Sequence, residues 1–133
     1  MILLDTHVLL WLDQGHSSLG EVATEIIESA LADGAVAVSA ITFWEVSMLV
    51  EKRRIVTSLD LNVWRSDLLR TGLIEFAIDG QCGIQATHLH DLPSDPADRM
   101  IVATALRQSA ALVTADERLL QWNGTLQRID ARI

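Results

Sequence analysis

A chain of 133 residues can bury about two thirds of its unfolded surface, so we predict a single domain spanning residues 1–133. Half of the residues are hydrophobic and 21% are charged, which excludes a disordered or fibrous chain. The net charge of −8 opposes non-specific binding to nucleic acid, because such binding depends on Lys and Arg neutralising phosphates.

The cellular compartment can also be predicted. The single cysteine, Cys82, cannot form an internal disulfide, which suits a reducing compartment. The opening MILL lacks a basic flank and is interrupted by Asp5, so we predict no signal peptide. The longest apolar run, AVAVSAITFW, is about half of the ~20 residues that a transmembrane helix needs. We therefore predict a cytoplasmic protein without a membrane segment.

The first part of the chain alternates between strand and helix patterns. The apolar run Ile2–Leu4 is typical of a strand buried in a parallel sheet. A helix follows, with Thr6 as its candidate cap and Gly15 at its end. Ser18 and Glu21 then form an S-x-x-E capping box for a second helix.

The middle of the chain continues this alternation. AVAV at residues 35–38 predicts a second strand, and Ser39 begins a helix that ends in EKRR. A further helix is expected around Leu61, Trp64 and Leu68, and LIEFAI predicts the third strand.

The last part of the chain completes the predicted sheet. Asp79 caps a helix that contains glycine, and Asp95 with Pro96 begins the last long helix. ALVT at residues 111–114 predicts a fourth strand, TADE a short helix, and LQRI an edge strand. Alternating strands and helices predict a three-layer α/β domain, with a central parallel sheet of four to five strands flanked by helices.

Four acids occupy positions that suggest a functional site: Asp5, Glu45, Asp98 and Asp116. Asp5 directly follows the first strand, and Asp116 comes two residues after the fourth. Glu45 lies on the apolar stripe of its helix, where the spacing favours a hydrophobic residue. Since functional crevices in open α/β sheets lie beyond the carboxyl ends of the strands, these three acids are expected there. The sequence leaves open whether Asp98 shares that edge.

Structural explanations remain available for two of the acids. Asp98, in the first turn of its helix, complements the helix dipole. Asp116 lies within a T-x-x-E box formed by Thr114 and Glu117. Asp5 and Glu45 are harder to explain structurally, because a carboxylate in a buried context costs several kcal/mol unless it is paired or bound to a cation.

Converging carboxylates need a cation or a proton. Two carboxylates about 4 Å apart repel each other by ~4 kcal/mol at an effective dielectric constant near 20. All-oxygen ligands select hard ions such as Mg²⁺ or Mn²⁺, and no His or Cys spacing suggests zinc. The sequence therefore predicts a divalent metal site of acidic residues.

Three segments carry a family resemblance: MILLDTHVLLWL, SAITFWEVSMLVEKRRI and DPADRMIVATALRQSAALVTADERLLQW. Together they resemble the PIN-domain family, and within it the VapC-type ribonuclease toxins of bacterial toxin–antitoxin pairs. The similarity extends from the first strand to the last short helix.

The resemblance implies a metal-dependent endoribonuclease, the toxin component of a type II toxin–antitoxin system, whose acidic cluster holds one or two Mg²⁺ or Mn²⁺ ions. By matching motif, the catalytic and metal-binding residues are Asp5, Glu45, Asp98 and Asp116. Three neighbours are candidates for supporting the acids or contacting substrate: Thr6, Thr114 and Arg99. The resemblance also implies an antitoxin partner, an RNA substrate and a homodimer. The apolar helices at residues 39–54 and 60–70 are the predicted surface for either dimerisation or antitoxin binding.

One alternative belongs to a different functional class. The chain could be a catalytically weak protein-binding module that keeps the PIN fold and acts mainly through its antitoxin partner. Metal binding discriminates between the two, since a scaffold without catalysis needs no divalent site.

Overall fold

A five-stranded parallel sheet forms the centre of the computed structural model, which describes residues 1–133. The strands are β1 (Ile2–Leu4), β2 (Val36–Ser39), β3 (Ile74–Phe76), β4 (Ala111–Thr114) and β5 (Arg128–Asp130). Their order across the sheet is β3-β2-β1-β4-β5, and every neighbouring pair is parallel. The predicted fold class is confirmed, and the segment LQRI does supply the edge strand.

Seven helices connect the strands. They are α1 (Thr6–Gln14), α2 (Glu21–Ala32), α3 (Ile41–Glu51), α4 (Leu61–Arg70), α5 (Gly80–Thr87), α6 (Pro96–Arg107) and α7 (Glu117–Leu120). None of them combines the length and the apolar composition required to cross a bilayer.

The sheet is buried on both faces, as a parallel sheet with helical crossovers must be. Ile2 and Leu4 belong to a core shared with α1 to α4, whereas Leu3 belongs to a core shared with α6 and α7. Successive strand residues point to opposite faces, so the unbroken apolar run of β1 serves both cores. This arrangement produces the predicted three layers.

Three predicted helix starts are wrong in detail. Asp5, not Thr6, caps α1, because its side chain accepts the Thr6 N–H. Asp116, not Thr114, caps α7 by accepting the Arg118 N–H. Ser39 is the last residue of β2, and α3 begins two residues later.

The predicted capping box of α2 is also wrong. The helix begins after Gly20, which makes no side-chain cap. The C-terminal chain replaces the box, since the Ala23 N–H donates to the Ile133 carbonyl at 3.0 Å and the Gly20 N–H donates to the Ala131 carbonyl at 2.9 Å. Any side chain at Gly20 would collide with the backbone of Ile133, so glycine is required at this close approach.

Candidate active site

Four acidic side chains meet at the carboxyl end of the sheet. Asp5 follows β1 and Asp116 follows β4, and these two strands are paired neighbours. Helices α3 and α6 pack against each other and carry Glu45 and Asp98. Asp98 lies close enough to the other three acids for their charges to raise its pKa. The structure thus brings all four predicted acids together, including the one whose position the sequence left open.

Asp5 is almost fully buried, and both of its carboxylate oxygens accept hydrogen bonds. Oδ1 accepts the Thr6 N–H at 2.9 Å, and Oδ2 accepts the Thr114 hydroxyl at 2.7 Å. The Thr114 oxygen in turn accepts the Asp116 N–H at 3.1 Å. Thr114 therefore links the acid after β1 to the acid after β4.

Glu45 is half-buried and is joined to the same network through Thr6. The Thr6 hydroxyl donates to Glu45 Oε1 at 2.6 Å and lies 3.0 Å from the Thr42 hydroxyl. The pKa of Glu45 is raised, chiefly by burial and further by the charges of Asp5 and Asp95, although the Thr6 hydrogen bond acts in the opposite direction. Thr6 and Thr114 thus contact the acids as predicted supporting residues would.

Asp98 has the most perturbed carboxyl group of the four. Burial raises its pKa to about 7, and the charges of Asp5, Asp95, Glu45 and Asp116 add to the effect. A carboxyl group behaves in this way when it is surrounded by other acids without enough positive charge nearby. Near neutral pH, Asp98 is therefore divided between its protonated and ionised forms.

Asp116 differs because an arginine is bound to it. Arg118 donates from Nη2 to Oδ2 at 2.7 Å and from Nε to Oδ1 at 3.2 Å. These hydrogen bonds lower the pKa of Asp116. The same Nη2 lies 3.4 Å from Asp98 Oδ2, so Arg118 bridges two of the acids.

Sequence reasoning missed three residues at this site. Arg118 is one of them. His7 is another: its Nε2 accepts the Ala115 N–H at 3.1 Å, and its Nδ1 lies 3.6 Å from Asp5 Oδ2. The third is Asp95, which caps α6 as predicted but also raises the pKa values of Glu45 and Asp98 by its charge. Of the three residues, only His7 could have been found from the sequence, because it lies two residues after Asp5, the acid that follows the first strand.

Arg99 does not have the surroundings of a substrate ligand. Its Nη1 donates to the carbonyls of Ala86 and Leu89, at 3.1 and 3.0 Å, and its Nη2 donates to the Leu92 carbonyl at 2.8 Å. Arg99 therefore holds the loop before α6 in place. Its terminal nitrogens are engaged with backbone carbonyls, so a contact between Arg99 and substrate stays a prediction.

The acids have the right chemistry for a hard divalent cation, since four carboxylates supply only oxygen ligands. Their side chains are not yet arranged as a coordination shell, because no three His, Cys, Asp or Glu groups are positioned to hold an ion. Instead, the Arg118 guanidinium takes the place of a cation between Asp98 and Asp116. The site thus fits a metal ion in its donor set but requires a rearrangement of side chains.

Comparisons with known proteins identify the family of this chain. The family model described as PIN domain matches residues 2–123. The chain is 35% identical to Ribonuclease VapC22 of Mycobacterium tuberculosis over 122 residues, which cover 89% of this chain and 88% of that protein.

Two solved structures have a similar fold. VapBC2 from Rickettsia felis, bound to a DNA fragment from its promoter, gives a TM-score of 0.71 at 19% identity, covering 98% of this chain and 100% of that one. A toxin-antitoxin complex from Klebsiella pneumoniae gives a TM-score of 0.64 at 18% identity and covers 98% of both chains. These identities support the fold alone, whereas the family model and the 35% identical relative show the family. The chain belongs to the PIN-domain family, and within it to the VapC-type ribonucleases.

Proposed function

We propose that this protein is a Mg²⁺- or Mn²⁺-dependent endoribonuclease that acts as the toxin of a type II toxin–antitoxin pair. The observation that carries the proposal is the convergence of Asp5, Glu45, Asp98 and Asp116 with a single bridging arginine. Such an excess of buried negative charge is stable only with a proton or a cation. The relative named Ribonuclease VapC22 supports RNA as the substrate.

In the proposed mechanism, Asp5, Glu45, Asp98 and Asp116 would hold one or two divalent ions. Such an ion would supply a lowered pKa for a bound water and positive charge against the scissile phosphate. Asp5 and Glu45 are held in place by the hydroxyls of Thr114 and Thr6, which limits their freedom before the ion arrives. Asp98 must lose its proton to become a ligand, so its raised pKa links metal binding to pH near 7.

The overall charge bears on how RNA is bound. With a net charge of −8, the protein has little capacity to attract RNA without specific contacts. We therefore expect the protein to select an RNA with an exposed single-stranded loop, and we expect the affinity for that RNA to depend on the metal.

A cytoplasmic location is part of this proposal and is supported by the single buried thiol of Cys82, which suits a reducing compartment.

A matched pair of variants on one helix tests the nuclease proposal. Glu45→Gln removes an acid of the site, whereas Glu51→Gln changes the exposed last residue of the same helix. We expect wild-type protein and Glu51→Gln to cleave a structured RNA pool in Mn²⁺ but not in EDTA, and Glu45→Gln to be inactive. Cleavage by Glu45→Gln at the wild-type rate, or cleavage in EDTA, would contradict the proposal.

An antitoxin partner is the second part of the proposal. An apolar groove of about 160 Å³ lies between α1, α3, α4 and the connector at residues 52–60. Its apolar lining includes Leu10, Val46, Val50, Ile55, Leu61 and Trp64. Val56 on this groove is 94% exposed, and Leu59 is 62% exposed. Apolar side chains left in solvent at a groove favour a partner segment with apolar anchors, and the structurally similar protein from Klebsiella pneumoniae was solved as a toxin-antitoxin complex.

Val56 offers a direct test of this partner. Co-expression with the product of the adjoining reading frame is expected to yield a stable complex with wild-type protein. Val56→Asp should weaken that complex without changing the fold, because the side chain is almost entirely in solvent. Val22→Asp, an exposed valine on α2 outside the groove, is the matched control. Equal binding by both variants would contradict this part of the proposal.

We also propose a homodimer that uses the exposed side of α3, where Trp44 is 52% exposed. Analytical ultracentrifugation of the isolated protein is expected to give a dimer, and Trp44→Glu a monomer. A wild-type monomer would overturn this expectation.

The apolar groove also favours a second candidate function, that of a catalytically weak module that acts through its antitoxin partner. Calorimetric titration with Mn²⁺ separates the two candidates. Binding that is lost in Glu45→Gln favours the enzyme, and the absence of binding in wild-type protein favours the module.

A further inference from the structure

Arg118 is the one Lys or Arg residue that forms an ion pair with any of the four acids. Its Nη2 lies 2.7 Å from Asp116 Oδ2 and 3.4 Å from Asp98 Oδ2. Those oxygens belong to two of the acids that the proposed metal site requires. A divalent ion bound to these oxygens would lie close to the positive charge of the guanidinium, so the two cations oppose each other's binding.

The surroundings of Arg118 allow it to move. Its side chain is 52% exposed, whereas those of Asp98 and Asp116 are only 12% and 18% exposed. An open groove of about 400 Å³, lined by Arg118 and by polar residues such as Gln121 and Asn123, lies beside it. The Arg118 N–H bond to Asp116 Oδ1 caps α7, and it does not depend on the position of the guanidinium. The guanidinium can therefore leave the acids without unfolding α7.

We propose that Arg118 is a displaceable internal cation, which holds Asp98 and Asp116 in the metal-free protein and competes with the divalent ion for their oxygens. This inference rests on the metal site of the proposed function. It gives Arg118 a positioning role: the arginine keeps two acids together at low metal concentration and sets the metal concentration at which the site fills.

Metal affinity measured without RNA tests the competition. Arg118→Gln removes the cation, and Arg132→Gln is a matched control because Arg132 bridges Asp130 and Glu117 in the same way outside the site. In calorimetric titrations with MnCl₂, we expect Arg118→Gln to bind Mn²⁺ about fivefold more tightly than wild type, or better. Arg132→Gln should match wild type. Unchanged or weaker Mn²⁺ binding by Arg118→Gln would overturn the inference.

A second measurement follows the Arg118 guanidinium itself in wild-type protein, and it uses the variant only to assign the signal. In protein labelled with ¹⁵N-arginine, the Nε–Hε signal of Arg118 is identified by its absence from the Arg118→Gln spectrum. A saturable change in the chemical shift of this signal on addition of Mg²⁺, with no change in the Arg132 signal, supports the inference. A stationary Arg118 signal at saturating Mg²⁺ overturns it.

The outcomes separate this inference from the proposed function. Equal Mn²⁺ affinity in wild type and Arg118→Gln overturns the competition but leaves the nuclease proposal standing. No binding by either protein overturns the inference and, with it, the metal site of the proposed function. Binding by Arg118→Gln alone supports the competition.

Discussion

Two arginines of this protein each bridge two carboxylates, in very different surroundings. Arg118 joins Asp98 and Asp116 at the candidate active site, and we call these three residues the site triad. Arg132 joins Asp130 and Glu117 at the surface, and these three form the surface triad. The two arginines are similarly exposed, at 52% and 46%, and the surface triad has the shorter contacts, at 2.7 and 2.8 Å.

One carboxyl group of each triad, Asp98 at the site and Asp130 at the surface, has its pKa shifted in the opposite direction from the other. Hydrogen bonds from Arg132 lower the pKa of Asp130, whereas burial and four neighbouring acids raise the pKa of Asp98 to about 7. One arginine can compensate the negative charge of two solvated acids, but it cannot compensate the charge of a cluster of buried acids. Residual negative charge, not the ion pair itself, therefore distinguishes the proposed metal site from the surface triad.

Among substitutions that leave the four acids unchanged, the largest effect is expected from breaking the link that only the site triad has. Thr114 connects Asp5 to Asp116, and Thr114→Val removes both hydrogen bonds while keeping the shape of the side chain. We expect single-turnover RNA cleavage to fall about 10- to 100-fold. Urea denaturation should show a loss of stability of ~1–3 kcal/mol, because Asp5 and the Asp116 N–H lose a partner.

Thr104→Val is the control for this prediction, since Thr104 is also buried and its hydroxyl donates within α6 to the Met100 carbonyl at 2.7 Å. This variant is expected to change stability without changing the cleavage rate. If both valine variants cleave RNA equally well, Thr114 has no special role in positioning the acids.

The second effect is the dependence of the free energy of unfolding on pH, measured in the absence of metal. The folded protein holds a proton on Asp98 up to about pH 7, whereas the unfolded chain releases it near 3.8. The folded state therefore binds more protons in this window, and stability falls as pH rises, by up to about 1.4 kcal/mol for each pH unit. Asp98→Asn removes this loss, so its melting temperature should exceed that of wild type at pH 8, with the difference growing from pH 4 to 7.

The surface triad should respond with the opposite sign. The pKa of Asp130 is lowered in the folded state, so its contribution is present above its unfolded pKa and lost as pH falls through the lower folded value. Asp130→Asn is therefore expected to destabilise the protein at pH 8. Thermal scans that give the two variants shifts of the same sign at pH 8 would remove the distinction between the triads.

The smallest effect is expected at Arg132. Arg132→Gln breaks exposed ion pairs, which contribute little to stability because solvent and salt screen them. Chemical denaturation at 0.05 and 0.5 M NaCl should show a small loss of stability that shrinks at the higher salt concentration. A large loss that does not depend on salt would mean that the surface triad is structural.

Most of the fold and part of the site could be predicted from local patterns. Asp5 was predicted because it ends a buried strand, and Glu45 because it interrupts an apolar stripe. Both signals are local. The position of Asp98 depends on how the preceding loop docks, and this is decided by distant contacts such as the hydrogen bond from Trp122 Nε1 to the His90 carbonyl at 2.8 Å. Local spacing carries no information about such contacts.

The two arginines show a similar limit. Arg99 was predicted to contact substrate because it follows Asp98 in sequence, but consecutive residues on a helix point in different directions. Arg99 accordingly faces the backbone of the preceding loop. Arg118 reaches Asp98 from a helix 20 residues further along the chain, so its role becomes visible only in three dimensions.

The most direct test of the central claim applies the same substitution to both triads and measures RNA cleavage in Mn²⁺. Asp98→Asn is expected to reduce the rate at least about 100-fold, because it removes a carboxylate of the metal site. Asp130→Asn, which changes only the surface triad, should stay within about twofold of wild type. Equal rates for the two variants would contradict the claim that the acidic cluster is the catalytic centre.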